Sequence, residues 1–494
     1  SRLKQRRSRQ RHELVMAEPP PKRVRTADGV AIGDLVLRAS RLVADGRTLL
    51  EPGVAVAQAG WITFVSAATV PDPDEVVAAI ARGARVVEAE VLVPGFVDIH
   101  THGIGGGGDI RGHWLHPEYT QSRVVRYGTT ALLATMVFPA GGRGPLAPAG
   151  AAALGGARLC GWCPERGGCA CGAAALGVAE DVRAVAAELT SAVGARGRGA
   201  VLEGIHAEGP VVESLGGLPA GDADMPLEAF AELLDLLGDA LKVMTIAPSR
   251  EARRARPFER LRLLLERGVR PALGHDNACT AQEIADALKL GALHDTVLHI
   301  THAFNVQRFH HRECGLANVG MLPTLPRTPM FHGATSAPTI ELVGDGVHVD
   351  TIVLQMAVAS KPLGAACFIT DGIAEPVEGK ALAYGGRRAQ VERDREGRLG
   401  VYSTGVERGE RLLIGSCVMM LDAFKTAVRV LDVGLCRAVD LCSSTPAAIA
   451  RLPHVGAIEV GRRADFVVLD GDLEVTSVFV AGSLEYDRNA GLAP

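Results

Sequence analysis

Aromatic residues make up only 4% of the 494-residue chain, with three Trp, five Tyr and twelve Phe. That poverty removes the stacking platforms on which single-stranded nucleic acid is held. A large excess of either charge is missing as well. The formal net charge is −4, so no polyanion-binding surface is expected and nucleic acid is not an expected partner. Long apolar runs are missing. The one uncharged 20-residue stretch, 52–71, is broken by Pro52, Gly53 and Gly60 and reads as two strands around Gly60, so no membrane association is expected. No apolar segment follows the basic N-terminal residues, so a secretory leader is not expected. Ten cysteines fall short of a disulfide scaffold, and a cytoplasmic, reducing location is expected.

Hydrophobic residues at 47% and charged residues at 22% give the balance of a folded globular chain. The charge is unevenly spread. Residues 1–25 hold nine Lys/Arg against two Glu, which leaves the rest of the chain at −11. Such a segment buries too little surface to fold, and 1–30 is read as a disordered basic tail. Within it Pro19–Arg25 (PPPKRVR) resembles a short nuclear-import signal, which makes the nucleus a second expected location.

From 31 to 93, short alternating apolar runs punctuated by Gly and Asp predict a small β unit. The pattern returns only from 458 to 494, and the two ends are expected to pair into one small β-sandwich domain. Between them, from 94 to 457, strand-like runs alternate with helical patterns. The strands are expected at Val91–Ile99, Thr129–Phe138, Ala200–His206, Leu241–Ala247, Arg270–Leu273, Thr296–Ile300 and Ala365–Thr370. Repeated β-then-α units of this length predict an α/β fold, a TIM-type (β/α)8 barrel. An insertion at 140–178 carries Cys160, Cys163, Cys169 and Cys171, whose spacing is atypical for a zinc knuckle. The other six cysteines read as small core residues.

In a barrel of this kind, chemistry sits at the C-terminal ends of the strands. Five expected strand ends here carry metal-capable side chains: His100 and His102, His206 and Glu208, His275, His302, and Asp371. A lone histidine in such a place is more often structural. Five strand ends delivering His, Glu or Asp are not explained by packing, because buried ionisable groups are costly unless paired or metal-bound. A divalent cation is therefore expected, Zn or Fe by donor type. Such an ion acidifies a coordinated water and polarises a carbonyl, and a carboxylate beside it completes a hydrolase for carbon–nitrogen bonds.

The motifs that carry these residues resemble those of the amidohydrolase superfamily, and within it the N-acetylglucosamine-6-phosphate deacetylases. They are PGFVDIHTHG (Pro94–Gly103), HAEGP (His206–Pro210), LGH (Leu273–His275), THAFN (Thr301–Asn305), HHRECG (His310–Gly315), DGVHVD (Asp345–Asp350), TDG (Thr370–Gly372) and GRRADFVVLD (Gly461–Asp470), in family order. The resemblance implies hydrolysis of N-acetyl-D-glucosamine 6-phosphate by a homodimer. It implies Glu208, His275 and His302 as principal metal ligands, His100 and His102 for a second metal, and Asp371 as general base and acid. It further implies Asn305 and Val306 at the sugar, Arg312 at the 6-phosphate, Asp345 and His348 completing the substrate site, and Leu413, Ile414 and Gly415 as a substrate loop. The family's histidine after the HAEGP segment is replaced by Gly216-Gly217-Leu218-Pro219, which bears on sugar specificity. Two rival readings are another amidohydrolase acting on a different N-acyl or cyclic amide, and a non-catalytic barrel used in assembly. The complete set Glu208, His275, His302 and Asp371 argues against the second.

Overall fold

The structure is a computed structural model that describes residues 33–104, 114, 116–138, 180–195, 197–218, 224–384, 387–404 and 412–492. The basic tail with its PPPKRVR run and the four-cysteine array lie outside the described residues.

Eight parallel strands pair in chain order: β1 (Phe96–Thr101), β2 (Thr129–Val137), β3 (Val201–Val211), β4 (Leu241–Ile246), β5 (Arg270–Leu273), β6 (His299–Ile300), β7 (Thr339–Val343) and β8 (Ala366–Ile369). The ring closes where the chain leaves β8. The Asp371 amide donates to His100 O at 2.8 Å and the His102 amide to Gly372 O at 3.0 Å. Asp98 stitches the same seam by accepting from the Thr370 hydroxyl at 2.6 Å. Strands buried on both faces read as continuous apolar runs, not as alternations, which is why β2 (TTALLATMV) is buried throughout. Val97, Ile99, Leu133, Val243, Ala272, Val343 and Ile369 fill the interior, and a larger cluster packs the outer strand faces against the helices.

Helices between the strands include Glu180–Ala192, Leu227–Leu237, Glu259–Glu266 and Ala281–Leu293. The last opens on a capping box, with Thr280 accepting the Glu283 amide and the Glu283 carboxylate accepting the Thr280 amide. Among the described residues, no helix is long and apolar enough to cross a membrane.

The two chain ends do pair. Arg85–Pro94 runs parallel to Leu35–Val43 and antiparallel to Phe466–Leu469, so strands from both ends share one nine-stranded sheet. Three expectations are corrected. Val91–Ile99 is not one strand: it passes from this sheet into the barrel at Gly95, where a Cβ would come 2.0 Å from the Thr130 hydroxyl oxygen. The short strand β7 was not anticipated. Cys314 is exposed and Cys436 half-buried, whereas Cys279, Cys367, Cys417 and Cys442 are buried.

A further antiparallel sheet follows β8. It comprises β9 (Ala381–Tyr384), β10 (Arg387–Arg393), β11 (Leu399–Ser403) and β12 (Leu413–Gly415), in that order. Its apolar face, with Ile373, Leu382, Val391 and Ile414, packs beside the mouth of the barrel.

Candidate active site

Three of the expected residues are presented by one local device. His275, His302 and Asp371 each stand two residues past the end of a barrel strand, and each has a positive φ (51°, 23° and 49°). Left-handed backbone at a non-glycine residue is strained and persists only where surrounding structure holds it. Here it turns the chain off the strand and aims the side chain across the barrel mouth. Glu208 comes from within β3, just before Gly209.

These side chains converge. Glu208 Oε1 lies 2.9 Å from His275 Nε2 and 3.0 Å from His302 Nε2, and the two ring nitrogens are 3.0 Å apart. Glu208 Oε2 is 3.5 Å from His100 Nε2 and 3.4 Å from His102 Nε2. Asp371 Oδ1 is 3.0 Å from His102 Nε2 and 3.5 Å from His100 Nε2. Strict alternation from the interior residues Val97 and Ile99 would turn His100 outward. An irregularity of pairing between Asp98 and Thr101 resets the strand so that both histidines face the cluster.

The donor set fits a metal ion. His275 Nδ1 donates to the Ser214 carbonyl oxygen at 2.8 Å, so in the neutral ring Nε2 is a bare lone pair. That lone pair faces a carboxylate oxygen and a second imidazole nitrogen, an arrangement that needs a cation between its members. His100 Nε2 is buried with no hydrogen-bond partner among the described residues. Glu208, His275 and His302 form one metal-capable triad among the described residues, and His100, His102 and Glu208 form another.

Electrostatics agree with the geometry. Burial pushes the Glu208 carboxyl up. The charge of His100 beside it outweighs burial and holds it well below the usual carboxylate range. Burial likewise raises Asp371, and His100, His102 and His302 more than reverse it. Both groups are carboxylates at neutral pH.

Sequence reasoning missed Glu341, which stands in β7 with no exposed surface. It lies 2.6 Å from His100 Nδ1 and 3.0 Å from His299 Nε2, and it accepts the His302 amide at 3.0 Å. One carboxylate thus orients the rings or backbones of three histidines. His206 has both ring nitrogens engaged: Nδ1 donates to Ile99 O at 3.0 Å and Nε2 accepts from the Thr245 hydroxyl at 2.9 Å. Burial and His100 lower its pKa to about 3, so it is a neutral support.

Of the expected substrate residues, all but Arg312 are linked to this cluster or to the segments beside it. Asn305 Nδ2 is buried and has no partner among the described residues. Val306, at φ 53°, packs over Gly216, where a Cβ would come 2.4 Å from its Cγ2. Leu413, Ile414 and Gly415 form β12, which runs into Ser416, whose amide donates to Asp371 O at 3.2 Å. Asp345 Oδ2 holds His348 Nδ1 at 2.6 Å. Burial lowers the His348 pKa, and Asp345 and Asp371 more than restore it. Arg312 is exposed, and no contact among the described residues joins its side chain to the cluster.

Comparison with known proteins places this geometry. Residues 402–484 match the amidohydrolase family. The N-acetylglucosamine-6-phosphate deacetylase of Bacillus subtilis (strain 168) is 27% identical over 405 residues, spanning 80% of this chain and 85% of that protein. The Homo sapiens protein of the same name is 30% identical over 306 residues, covering 59% of this chain and 67% of that protein. The chain belongs to the N-acetylglucosamine-6-phosphate deacetylase family. The fold agrees: the crystal structure of the Mycobacterium smegmatis N-acetyl-D-glucosamine-6-phosphate deacetylase superposes with a TM-score of 0.66 at 24% identity, covering 91% of this chain and 99% of that one. Within this deacetylase family member, Glu208, His275, His302, His100, His102 and Asp371 form one contiguous cluster at the barrel mouth.

Proposed function

We propose that this chain hydrolyses N-acetyl-D-glucosamine 6-phosphate to D-glucosamine 6-phosphate and acetate, as a cytoplasmic homodimer. The observation that carries the reading is the approach of Asp371 to His102 at 3.0 Å, beside the cation-demanding triad of Glu208, His275 and His302. Glu208, His275 and His302 would hold a divalent metal, zinc or iron by donor type, which when bound would acidify a water and polarise the acyl carbonyl; His100 and His102 would offer a second position. Asp371 takes the proton from the attacking water at Oδ1 and returns it to the departing amine nitrogen. Its carboxylate character at neutral pH suits the first half of that task.

Asn305 offers its unpartnered amide to the sugar, with Val306 and the Leu413–Gly415 strand forming the walls. Arg312 supplies a guanidinium for the phosphate, a pairing that can be bidentate. His348, held by Asp345, adds a second imidazole. Ile352 and Met356 are 69% and 50% exposed one turn apart on the helix that follows His348, which supports a dimer face next to the substrate site.

Acetate release by metal-replete protein tests the reading. N-acetylglucosamine 6-phosphate is expected to be cleaved faster than its galactosamine and mannosamine counterparts and far faster than unphosphorylated N-acetylglucosamine. Absence of acetate from all four would reject it.

A further inference from the structure

The hairpin of β9 and β10 brings to the cluster a group that the reaction as described leaves unused. Tyr384 closes β9, is 2% exposed, and packs its ring with Ile373, Val391 and Ile414. Its ring meets the His102 ring edge-on, with centroids 5.5 Å apart. Its hydroxyl oxygen stands 3.5 Å from both His102 Nδ1 and His102 Nε2.

Equal distances to the two nitrogens of one ring put the hydroxyl in line with neither lone pair, at the far limit of hydrogen bonding. A buried tyrosine hydroxyl normally finds a well-formed partner. This one has none among the described residues. It stands beside the ring whose Nε2 Asp371 Oδ1 and Glu208 Oε2 approach at 3.0 and 3.4 Å.

The hydroxyl is also held in place. Tyr384 pairs in register with Arg387, whose Nη1 donates to Gly217 O at 3.3 Å. Gly217 rests on the Ile414 carbonyl and Gly216 on Val306, so the hairpin is pinned to the segments that wall the substrate position. A donor fixed before the reaction stabilises developing charge without reorganising.

We propose that the Tyr384 hydroxyl donates a hydrogen bond to the acyl oxygen of the substrate as that oxygen gains negative charge. The inference rests on the amide hydrolysis argued above. No proton is transferred: the phenol stays neutral, the carbon–nitrogen bond breaks, and the proton for the amine still comes from Asp371. Tyr384 is then a catalytic residue and not a support of His102.

The test is Tyr384→Phe in the full, metal-replete chain. It keeps the ring and removes only the hydroxyl. The expected result is a fall in kcat of about 10²-fold with KM changed less than about threefold. Bound metal stays at the wild-type level. A tetrahedral phosphonamidate analogue of the substrate loses affinity by the same factor as kcat, while the product glucosamine 6-phosphate does not. Wild-type kcat in the variant would overturn the inference. So would a loss of metal in step with kcat, which would make the hydroxyl a positioning group for His102. If the unaltered chain cleaves no phosphorylated N-acetylhexosamine, the hydrolase reading itself has failed. An active wild type with an equally active Tyr384→Phe variant sinks this inference alone.

Discussion

Glu341 holds His100 at 2.6 Å, carboxylate oxygen to Nδ1, with neither side chain exposed to solvent. Burial alone would raise the Glu341 carboxyl. His100 and His299 reverse that and keep it well below the ordinary range, so a buried negative charge holds the Nδ1 side of the His100 ring. Nε2 faces Glu208 and Asp371, each at 3.5 Å.

Glu341→Gln is accordingly expected to lower metal affinity by about 10–100-fold, the usual cost of losing an outer partner of a metal-binding histidine. Titration of apo protein with zinc checks it. Unchanged affinity would show that His100 needs no orientation from β7.

Asp371→Asn separates proton transfer from ligation. Turnover should fall by about 10²–10⁴-fold, the range that a positioned acid–base group contributes, with metal content retained. Parallel loss of metal and turnover, read by elemental analysis and acetate release on one preparation, would move Asp371 into the ligand set.

Arg312 is exposed and its guanidinium is paired with no carboxylate among the described residues. Arg312→Ala should raise KM for the phosphorylated sugar by about tenfold or more, the loss of one charge-assisted contact, with kcat and melting temperature little changed. Equal KM effects on phosphorylated and unphosphorylated sugar would remove the phosphate role.

Much of this site was legible in the sequence because barrel strands end abruptly. Leu273-Gly274-His275 and Phe368-Ile369-Thr370-Asp371 place a polar group straight after an apolar run, and the His100-x-His102 spacing survives the irregularity in β1. Glu341 was hidden for the opposite reason. It sits inside Thr339–Val343, a run too short to register as a barrel strand, and its one signal was a charge flanked by Ile340 and Leu342. Tyr384 was equally hidden, because strand propensity explains a tyrosine at the end of β9 without any appeal to chemistry. The Val91–Ile99 run reads as one strand because apolar patterning continues across Gly95, and the close approach of Thr130 marks the break.

At the other end of β3, Glu203 ties the barrel to the sheet shared by the chain ends. It pairs with Arg463, which also binds Asp465, and with His454 at 3.0 Å. Burial pushes the Glu203 carboxyl up, but Arg463 and then His454 outweigh it and bring the pKa to about 2 from 4.5. A depressed carboxylate stabilises the fold above its unfolded pKa and loses that contribution as pH falls towards the folded one. The gap in melting temperature between wild type and Glu203→Gln should therefore be full above about pH 5 and close between pH 4.5 and 2. The shift corresponds to stability on the order of 3 kcal/mol. A gap that is constant across that window would show that the carboxylate charge contributes nothing.

The central claim is that Glu208, His275 and His302 share one cation. Metal content after exhaustive dialysis tests it most directly, comparing wild type with Glu208→Gln and His275→Asn at matched folding. Wild type should retain at least one zinc or iron per chain and each variant should lose it. Full metal content in both variants, or none in an active wild type, would contradict the account.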